Sequence, residues 1–498
     1  MIATPAEAAR PKVLMLAAGL CVLLLAAQFA TLLHCRHEFA QVESVVAMHS
    51  LMLAHGEGLY YDLQHYPYTV SPYGPVFYSL SAGLYRLGLP APIGGRLLSF
   101  AAFAGIIALC WRLLRLHTTN QCAVWTGTLL IASFPLLVGW GTTGHVDVLA
   151  LFFSLAAFYS FSLFRARGRA GYLVLAAVFL ILAVFTKQTM IGAGIAILLL
   201  LALDNRRRAM VFALAAGVCG ISLALALNQY TGGRYFDNAI RANLNPMSAH
   251  KALLQAEALL FYGGWLIVLA GAGSRRAFRG GIHPLYAYLG SAAAVLAVTA
   301  PKVGSDLNYQ LEVMIALGLC AGWTLGQINF SPPRFRGRPT LLEIVPLVQI
   351  ALSFAFCGQV AYDRWGRELL QREETAQLAP YLGRTHSRAL AVQTDPLLQL
   401  RGRIEVEPLI YTLLVDSGLV NPEPVRRDLA NGKFALVVLF EDVFDPHRAP
   451  LDREIPSLPK SHLKEMREHY RLVRHIPGPY LNGDYVYEPI GAAEAAHE

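Results

Sequence analysis

The sequence predicts an all-α polytopic membrane protein of about eleven transmembrane helices plus interfacial helices, with a small α/β unit at the C-terminal end. Three observations predict it. The 498 residues are 55% hydrophobic and only 15% charged, with a mean hydropathy of +0.44, a balance too apolar for a water-soluble chain of this length. Apolar runs recur along the first 360 residues at lengths that cross about 30 Å of hydrocarbon at about 1.5 Å per residue. Beyond Tyr362 the chain becomes charged and proline-bearing.

The apolar runs fall at 11–34, 94–113, 121–140, 146–165, 170–186, 188–203, 209–227, 255–272, 284–300, 309–327 and 341–360. The two runs that meet around Thr186 and Lys187 are short, as tilted or broken helices would be. The first run is longer than the apolar stretch of a signal peptide and reads as a retained helix. Basic connectors occur at every second turn: Arg10/Lys12, Arg112/Arg115, Arg165/Arg167/Arg169, Arg206/Arg207/Arg208, Arg275/Arg276/Arg279 and Arg334/Arg336/Arg338. By the positive-inside rule these are cytoplasmic, which puts the N-terminus inside and the segment from Ala361 outside. The net charge of +8 is then topogenic and no sign of a nucleic-acid partner. Seven scattered cysteines with no CxxC spacing suggest neither a disulfide framework nor a zinc site.

The outward connectors hold the residues capable of chemistry. The first, 35–93, carries Glu38, Glu43, Glu57 and Asp62 and many tyrosines. Two pieces of it, 43–55 and 76–87, have apolar residues at helical spacing on either side of Pro72-Tyr73-Gly74-Pro75, and such helices can lie in the bilayer interface. The second connector, Gly141-Thr142-Thr143-Gly144-His145-Val146-Asp147, places a carboxylate at the start of a helix, where the dipole favours it. His145 is more often a loop histidine satisfied by its neighbours than a catalyst. In the third, Lys187 stands alone between apolar runs, unlike the clustered arginines. The fourth offers Lys302, Gly304, Ser305, Asn308 and Tyr309 just before a helix, donors suited to an anionic oxygen, although Ser305 is also an ordinary N-cap residue. One acidic connector facing two lysine-bearing ones suits deprotonation of a hydroxyl while a phosphate departs.

The order of these parts resembles the GT-C class of integral-membrane glycosyltransferases, especially the polyprenyl-phosphate-dependent group that includes protein O-mannosyltransferases and lipid A aminoarabinose transferases. The resemblance rests on a first span followed by a long loop with an early acidic residue, then Gly58-Leu59-Tyr60-Tyr61-Asp62, Pro72-Tyr73-Gly74-Pro75-Val76-Phe77-Tyr78, Gly95-Arg96-Leu97-Leu98 and the Lys302-x-Gly-Ser-x-x-Asn-Tyr-x-x-Glu run, over roughly residues 11 to 360. It implies inverting transfer of one sugar from a polyprenyl-phosphate carrier to an acceptor hydroxyl on a lipid, glycan or protein, at the extracytoplasmic face of a bacterial inner membrane. It also implies that Glu43 or Glu38 is the base, the choice being open because His37-Glu38 stands where many members have Asp-Glu. It further implies that Asp147 contacts sugar or acceptor and that Lys187 and Lys302 hold the carrier phosphate; His145, Ser305, Asn308, Tyr309 and Tyr73 are the further candidates for substrate contact. No cofactor is required, and a divalent metal is compatible but not demanded.

The C-terminal unit, 361–498, shows strand-like runs at 389–393, 434–440 and 485–487 and helical stretches at 409–414 and 463–470. It carries no metal-ligand or nucleophile spacing and reads as an acceptor-handling or packing unit beside the domain 1–360. A transporter or lipid flippase is the competing reading. It would favour inverted repeats and polar groups at the membrane midplane, whereas the polar groups gather at one face.

Overall fold

Helices form where the apolar runs are bounded by caps. Asn120, Asn205 and Ser248 each accept a hydrogen bond from the backbone N–H three residues on, and Pro75, Pro135 and Pro284 occupy first turns, where a missing N–H costs nothing. The computed structural model describes residues 5–40, 42–328, 330, 341–382, 388–445, 456–476 and 483–490. In chain order the helices are α1 (Pro5–His34), α2 (Glu43–Ala54), α3 (Pro75–Arg86), α4 (Ile93–His117), α5 (Gln121–Ala132), α6 (Pro135–Trp140), α7 (Val146–Arg167) and α8 (Ala170–Val184). They continue as α9 (Gly192–Asp204), α10 (Arg206–Tyr230), α11 (Arg234–Ala239), α12 (Ala249–Ala277), α13 (Pro284–Thr299), α14 (Leu311–Gln327) and α15 (Leu341–Leu382). The C-terminal unit follows as β1 (Arg388–Ala391), α16 (Asp395–Arg401), α17 (Pro408–Asp416), α18 (Glu423–Ala430), β2 (Phe434–Leu439), α19 (Lys460–His469), β3 (Tyr470–Ile476) and β4 (Asp484–Pro489).

Each predicted span overlaps one helix or, in one case, two, and the chain is an integral membrane protein. Six helices are long and apolar enough to cross a membrane on length and composition. The remainder are shorter. The run 121–140 is divided into α5 and α6 because Pro135 lacks an N–H and disfavours helical backbone at Phe134, which is extended. The run expected from 188 begins as helix only at Gly192, leaving a non-helical turn at the lysine. α10 stands out from the bundle, with Met210, Val211, Leu214, Val218 and Ile221 exposed, as lipid-facing residues are. α15 runs unbroken through residue 361, so one helix serves both the bundle and the C-terminal unit.

The arginine-bearing helix ends meet. Arg165 pairs with Asp204 at 3.1 Å, Arg276 donates to the Gln327 carbonyl, and the His117 and His283 rings lie 5.0 Å apart. Arg334, Arg336 and Arg338 lie outside the described residues.

At the other end sits a four-stranded sheet of order β1-β2-β4-β3, with β1 and β2 parallel and the other pairs antiparallel. β3 was not foreseen; its burial alternates weakly, as at a sheet edge. Because strand side chains alternate, Val437 and Leu439 pack with Tyr411, Tyr68 and Val70 on one face. Leu436 and Val438 pack on the other with Val45, Met48 and Met52 of α2 and with Leu378 of α15. The interfacial expectation for 43–55 is thereby corrected. Nine of the twelve α2 residues are buried, because sheet and bundle cover both sides of the helix.

Candidate active site

The site lies at the sheet-bearing end of the bundle, where three turns converge. α7 begins after the Gly141–His145 turn and offers Asp147 from its first turn. The α8–α9 turn offers Lys187, and the 3-10 turn Leu307–Gln310 offers Asn308 and Tyr309. The Lys187 ammonium, 1% exposed in its side chain, meets Asp147 Oδ1 at 2.5 Å. The same oxygen accepts from Asn308 Nδ2 at 3.0 Å. Lys187 Nζ also lies 4.2 Å from the centre of the Tyr309 ring and 5.9 Å from that of Tyr73, close enough for cation–π attraction. Four predicted residues, Asp147, Lys187, Asn308 and Tyr309, are thus one cluster with Tyr73 at its side.

The lysine turn is anchored on both sides. Gln188 Nε2 donates to the Pro72 and Ala239 carbonyls, and Val76 N–H donates to the Phe185 carbonyl at 3.2 Å. Gly74 is required there, since a Cβ at that position would stand 2.0 Å from the Phe185 carbonyl oxygen. Beyond the turn, Glu312 of α14 binds Ser154 Oγ at 2.6 Å and Tyr288 OH at 3.2 Å. A Cβ on Gly192 would meet its carboxylate at 2.5 Å.

Lys302 is half-buried and has no ion-pair partner among the described residues. Burial, followed by the neighbouring charge of Lys187, lowers its affinity for a proton. Ser305 differs from the expectation: its hydroxyl donates to the Ala300 carbonyl at 2.7 Å and closes the turn, so its hydrogen is not available to a ligand.

Glu43 also differs. Its carboxylate accepts from Arg96 Nε at 2.9 Å and Nη2 at 2.8 Å, from the Phe39 N–H at 2.7 Å and from the Gly144 N–H at 2.5 Å. Glu43 and Arg96 are both wholly buried. Burial alone would raise the Glu43 pKa, but Arg96 outweighs it and holds the group ionised. With its acceptor directions filled, this carboxylate braces the Gly144–His145 turn and is poorly placed to receive a proton. Val42, just before it, holds a left-handed backbone at φ 73°, a strained conformation for a β-branched residue. Glu38 accepts from Ser44 N–H at 3.3 Å and Oγ at 2.9 Å. Burial first, then Asp395, raises its pKa well above the ordinary carboxylate value, which favours the protonated form and disfavours a role as proton acceptor. Asp395 in turn binds His37 Nδ1 at 2.6 Å. Asp395, through His37 and through Ser44 Oγ at 3.2 Å, therefore ties the first connector to the C-terminal unit.

Sequence reasoning passed over Arg96 and Arg364 as site-builders. Arg364 of α15 reaches Thr142 Oγ1 and the Gly139 carbonyl, and both guanidinium groups flank the Phe39 ring, at 3.8 and 4.6 Å. For Arg96 a signal was available, a lone arginine inside an apolar run away from the basic clusters; Arg364 stands among other charges, with Arg367, Glu368 and Arg372 close behind it, and gave none. Among the described residues, the one grouping of potential metal ligands is Glu465, Glu468 and His469 on α19, where Glu465 already pairs with Arg426 at 2.7 Å.

This bundle, its long first connector and its C-terminal sheet define a chain with the GT-C glycosyltransferase fold, and comparison with known proteins bears out that resemblance. Residues 72–229 match the family model described as dolichyl-phosphate-mannose-protein mannosyltransferase. Among solved structures, ArnT from Cupriavidus metallidurans bound to undecaprenyl phosphate is similar with a TM-score of 0.63 at 14% identity, covering 95% of this chain and 98% of that one. The same protein in the apo state gives 0.58 at 16% identity, over 96% and 99%. The archaeal oligosaccharyltransferase AglB from Archaeoglobus fulgidus, in complex with an inhibitory peptide and a dolichol-phosphate, gives 0.51 at 12% identity, over 94% and 79%. No curated protein matches the chain by sequence.

Proposed function

We propose that the protein is an inverting membrane glycosyltransferase that moves a single sugar from a polyprenyl-phosphate carrier to an acceptor hydroxyl of a lipid, glycan or protein, at the extracytoplasmic face of a bacterial inner membrane. The observation that carries this reading is the pairing of two lysines with an apolar groove. Lys187 and Lys302 are close enough for their charges to interact. Beside the Lys187 turn opens a cavity of about 510 Å³ between α8, α9 and α10, lined by Phe185, Gln188, Ile195, Phe212, Gly217 and Ile221 among others. A polyprenyl chain fits such a groove, and its phosphate would then lie at the lysines. The neighbours support the carrier class, since the ArnT structure is described as holding undecaprenyl phosphate and the AglB structure a dolichol-phosphate.

In this mechanism the carrier phosphate is met by Lys302, whose charge is uncommitted, and by Lys187, held in position by Asp147 and Tyr309. Positive charge fixed where negative charge develops on the leaving oxygen stabilises the transition state more than the ground state. Asn308 and Asp147 orient the sugar. Two ammonium groups serve a monophosphate leaving group without a metal, so EDTA is expected to leave turnover intact; loss of turnover restored by a divalent cation would bring a metal into the mechanism.

The test is consumption of undecaprenyl-phosphate esters of mannose, glucose and arabinose by purified protein in lipid, with a membrane extract as acceptor. Release of undecaprenyl phosphate with label appearing in the acceptor supports the reading. Intact donors throughout would remove its main support and turn attention to transport of the lipid.

A further inference from the structure

Most polar atoms of the site are committed to partners. Three buried ones are not: His145 Nε2, Asp147 Oδ2 and Asn308 Oδ1. Buried polar atoms almost always find a partner, so three orphans in one place call for a ligand with hydroxyl groups. They differ in chemistry. Asn308 Oδ1 accepts hydrogen bonds but does not titrate, and Asp147 gives its other oxygen to an ammonium 2.5 Å away. His145 Nε2 is a ring nitrogen with a free lone pair when the ring proton sits on Nδ1.

The ring is also fixed in place. The His145 carbonyl accepts from Ser99 Oγ at 3.1 Å, and the imidazole stands edge-on to Trp140, with centroids 5.1 Å apart and an interplanar angle of 84°. The preceding residue, Gly144, is held by the Glu43 carboxylate. Glu43, one of the two bases the family resemblance implies, thereby becomes the support of its neighbour.

We propose that His145 is the catalytic base: its Nε2 receives the proton of the acceptor hydroxyl. This rests on the glycosyl-transfer reading above. As the acceptor oxygen bonds to the anomeric carbon, its proton passes to His145. The bond from that carbon to the carrier phosphate breaks, and the electron pair leaves on the phosphate oxygen toward Lys302 and Lys187. The imidazolium so formed faces Glu43 from α2, which Arg96 of α4 pairs, Asp147 from α7, which Lys187 pairs, and Asp306 from the turn before Asn308. The three carboxylates favour the protonated ring as it forms and Lys187 opposes it, while burial, the larger influence at rest, keeps it neutral and ready. Asp147 Oδ2 and Asn308 Oδ1 then remain as acceptors for hydroxyl groups of the transferred sugar.

The experiment compares wild type, His145→Ala and His145→Asn in lipid, with the three undecaprenyl-phosphate sugars as donors and a membrane extract as acceptor. Binding of undecaprenyl phosphate and thermal unfolding are measured alongside. The expected result is a loss of about 10²–10⁴-fold in kcat for both variants, with unchanged phosphate binding and unchanged unfolding temperature. Imidazole in the buffer should restore part of the His145→Ala activity, and the fall of wild-type kcat at acid pH should be absent from His145→Asn. A folded His145→Asn protein with wild-type kcat, or activity lost only in step with phosphate binding, overturns the proposal while leaving the transferase reading intact. Absence of turnover by wild type with every donor overturns both.

Discussion

Lys187 and Lys302 carry the same charge in different circumstances, and mutation should separate them. Lys302 balances no carboxylate among the described residues, so Lys302→Ala should leave the unfolding temperature unchanged and reduce turnover about 10²–10³-fold, the cost of removing one stabilising donor. Wild-type turnover in that variant would remove Lys302 from the phosphate site. Lys187→Ala strands Asp147 as a buried charge, which costs about 3–5 kcal/mol, so it should lower both stability and activity. Glu43→Gln should behave like a structural lesion: Arg96 loses its buried counter-charge, with a penalty again of about 3–5 kcal/mol visible as a lower unfolding temperature in lipid. Lone charges in apolar surroundings made Asp147 and Lys187 legible from sequence. Asn308 and Tyr309 were legible from their spacing after Lys302. The committed partners were not legible, because the ion pair of Glu43 with Arg96 closes across 53 positions of chain, and the Ser305 hydroxyl looked free until its turn was folded.

At the scale of elements, spans were read well because a membrane helix announces itself by length and apolarity. Short elements were read less well. The helical spacing of α2 looked amphipathic, yet a second layer, the sheet, covers the face that water or headgroups would otherwise meet. No local pattern reports a partner supplied by residues almost 400 positions later. β3 escaped notice because Arg471, Arg474 and His475 break its apolar alternation. The C-terminal unit also carries a titration that can be tested. Burial raises Glu407, the cap of α17, to about 7, so the folded state binds a proton that the unfolded chain releases near the ordinary value of about 4.3. Stability therefore falls as pH rises between those values and levels off above about 7, by about 4 kcal/mol in all. Unfolding followed from pH 5 to 8 should show this decline, and Glu407→Gln should flatten it. An unchanged pH dependence in the variant would assign the titration elsewhere.

The whole molecule sets two ends apart. Arginine-bearing helix ends gather at one, and the lysine site, the brace of Glu43 and Arg96 and the sheet gather at the other. α15 and α2 join sheet to bundle. The topology read from charge predicts that a membrane-impermeant maleimide labels exposed Ser417→Cys from outside intact cells, and Arg207→Cys only after permeabilisation. The reverse pattern would invert the protein and move the site to the cytoplasmic face.

The central claim is that this end of the bundle takes a sugar from a polyprenyl phosphate, and donor turnover by the purified protein in lipid tests it most directly. The account predicts that wild type releases undecaprenyl phosphate from at least one of the three sugar donors and labels the acceptor, and that Lys302→Ala, equally stable, does so about 10²–10³-fold more slowly. Donor left intact by wild type, or consumed equally fast by the variant, would contradict it.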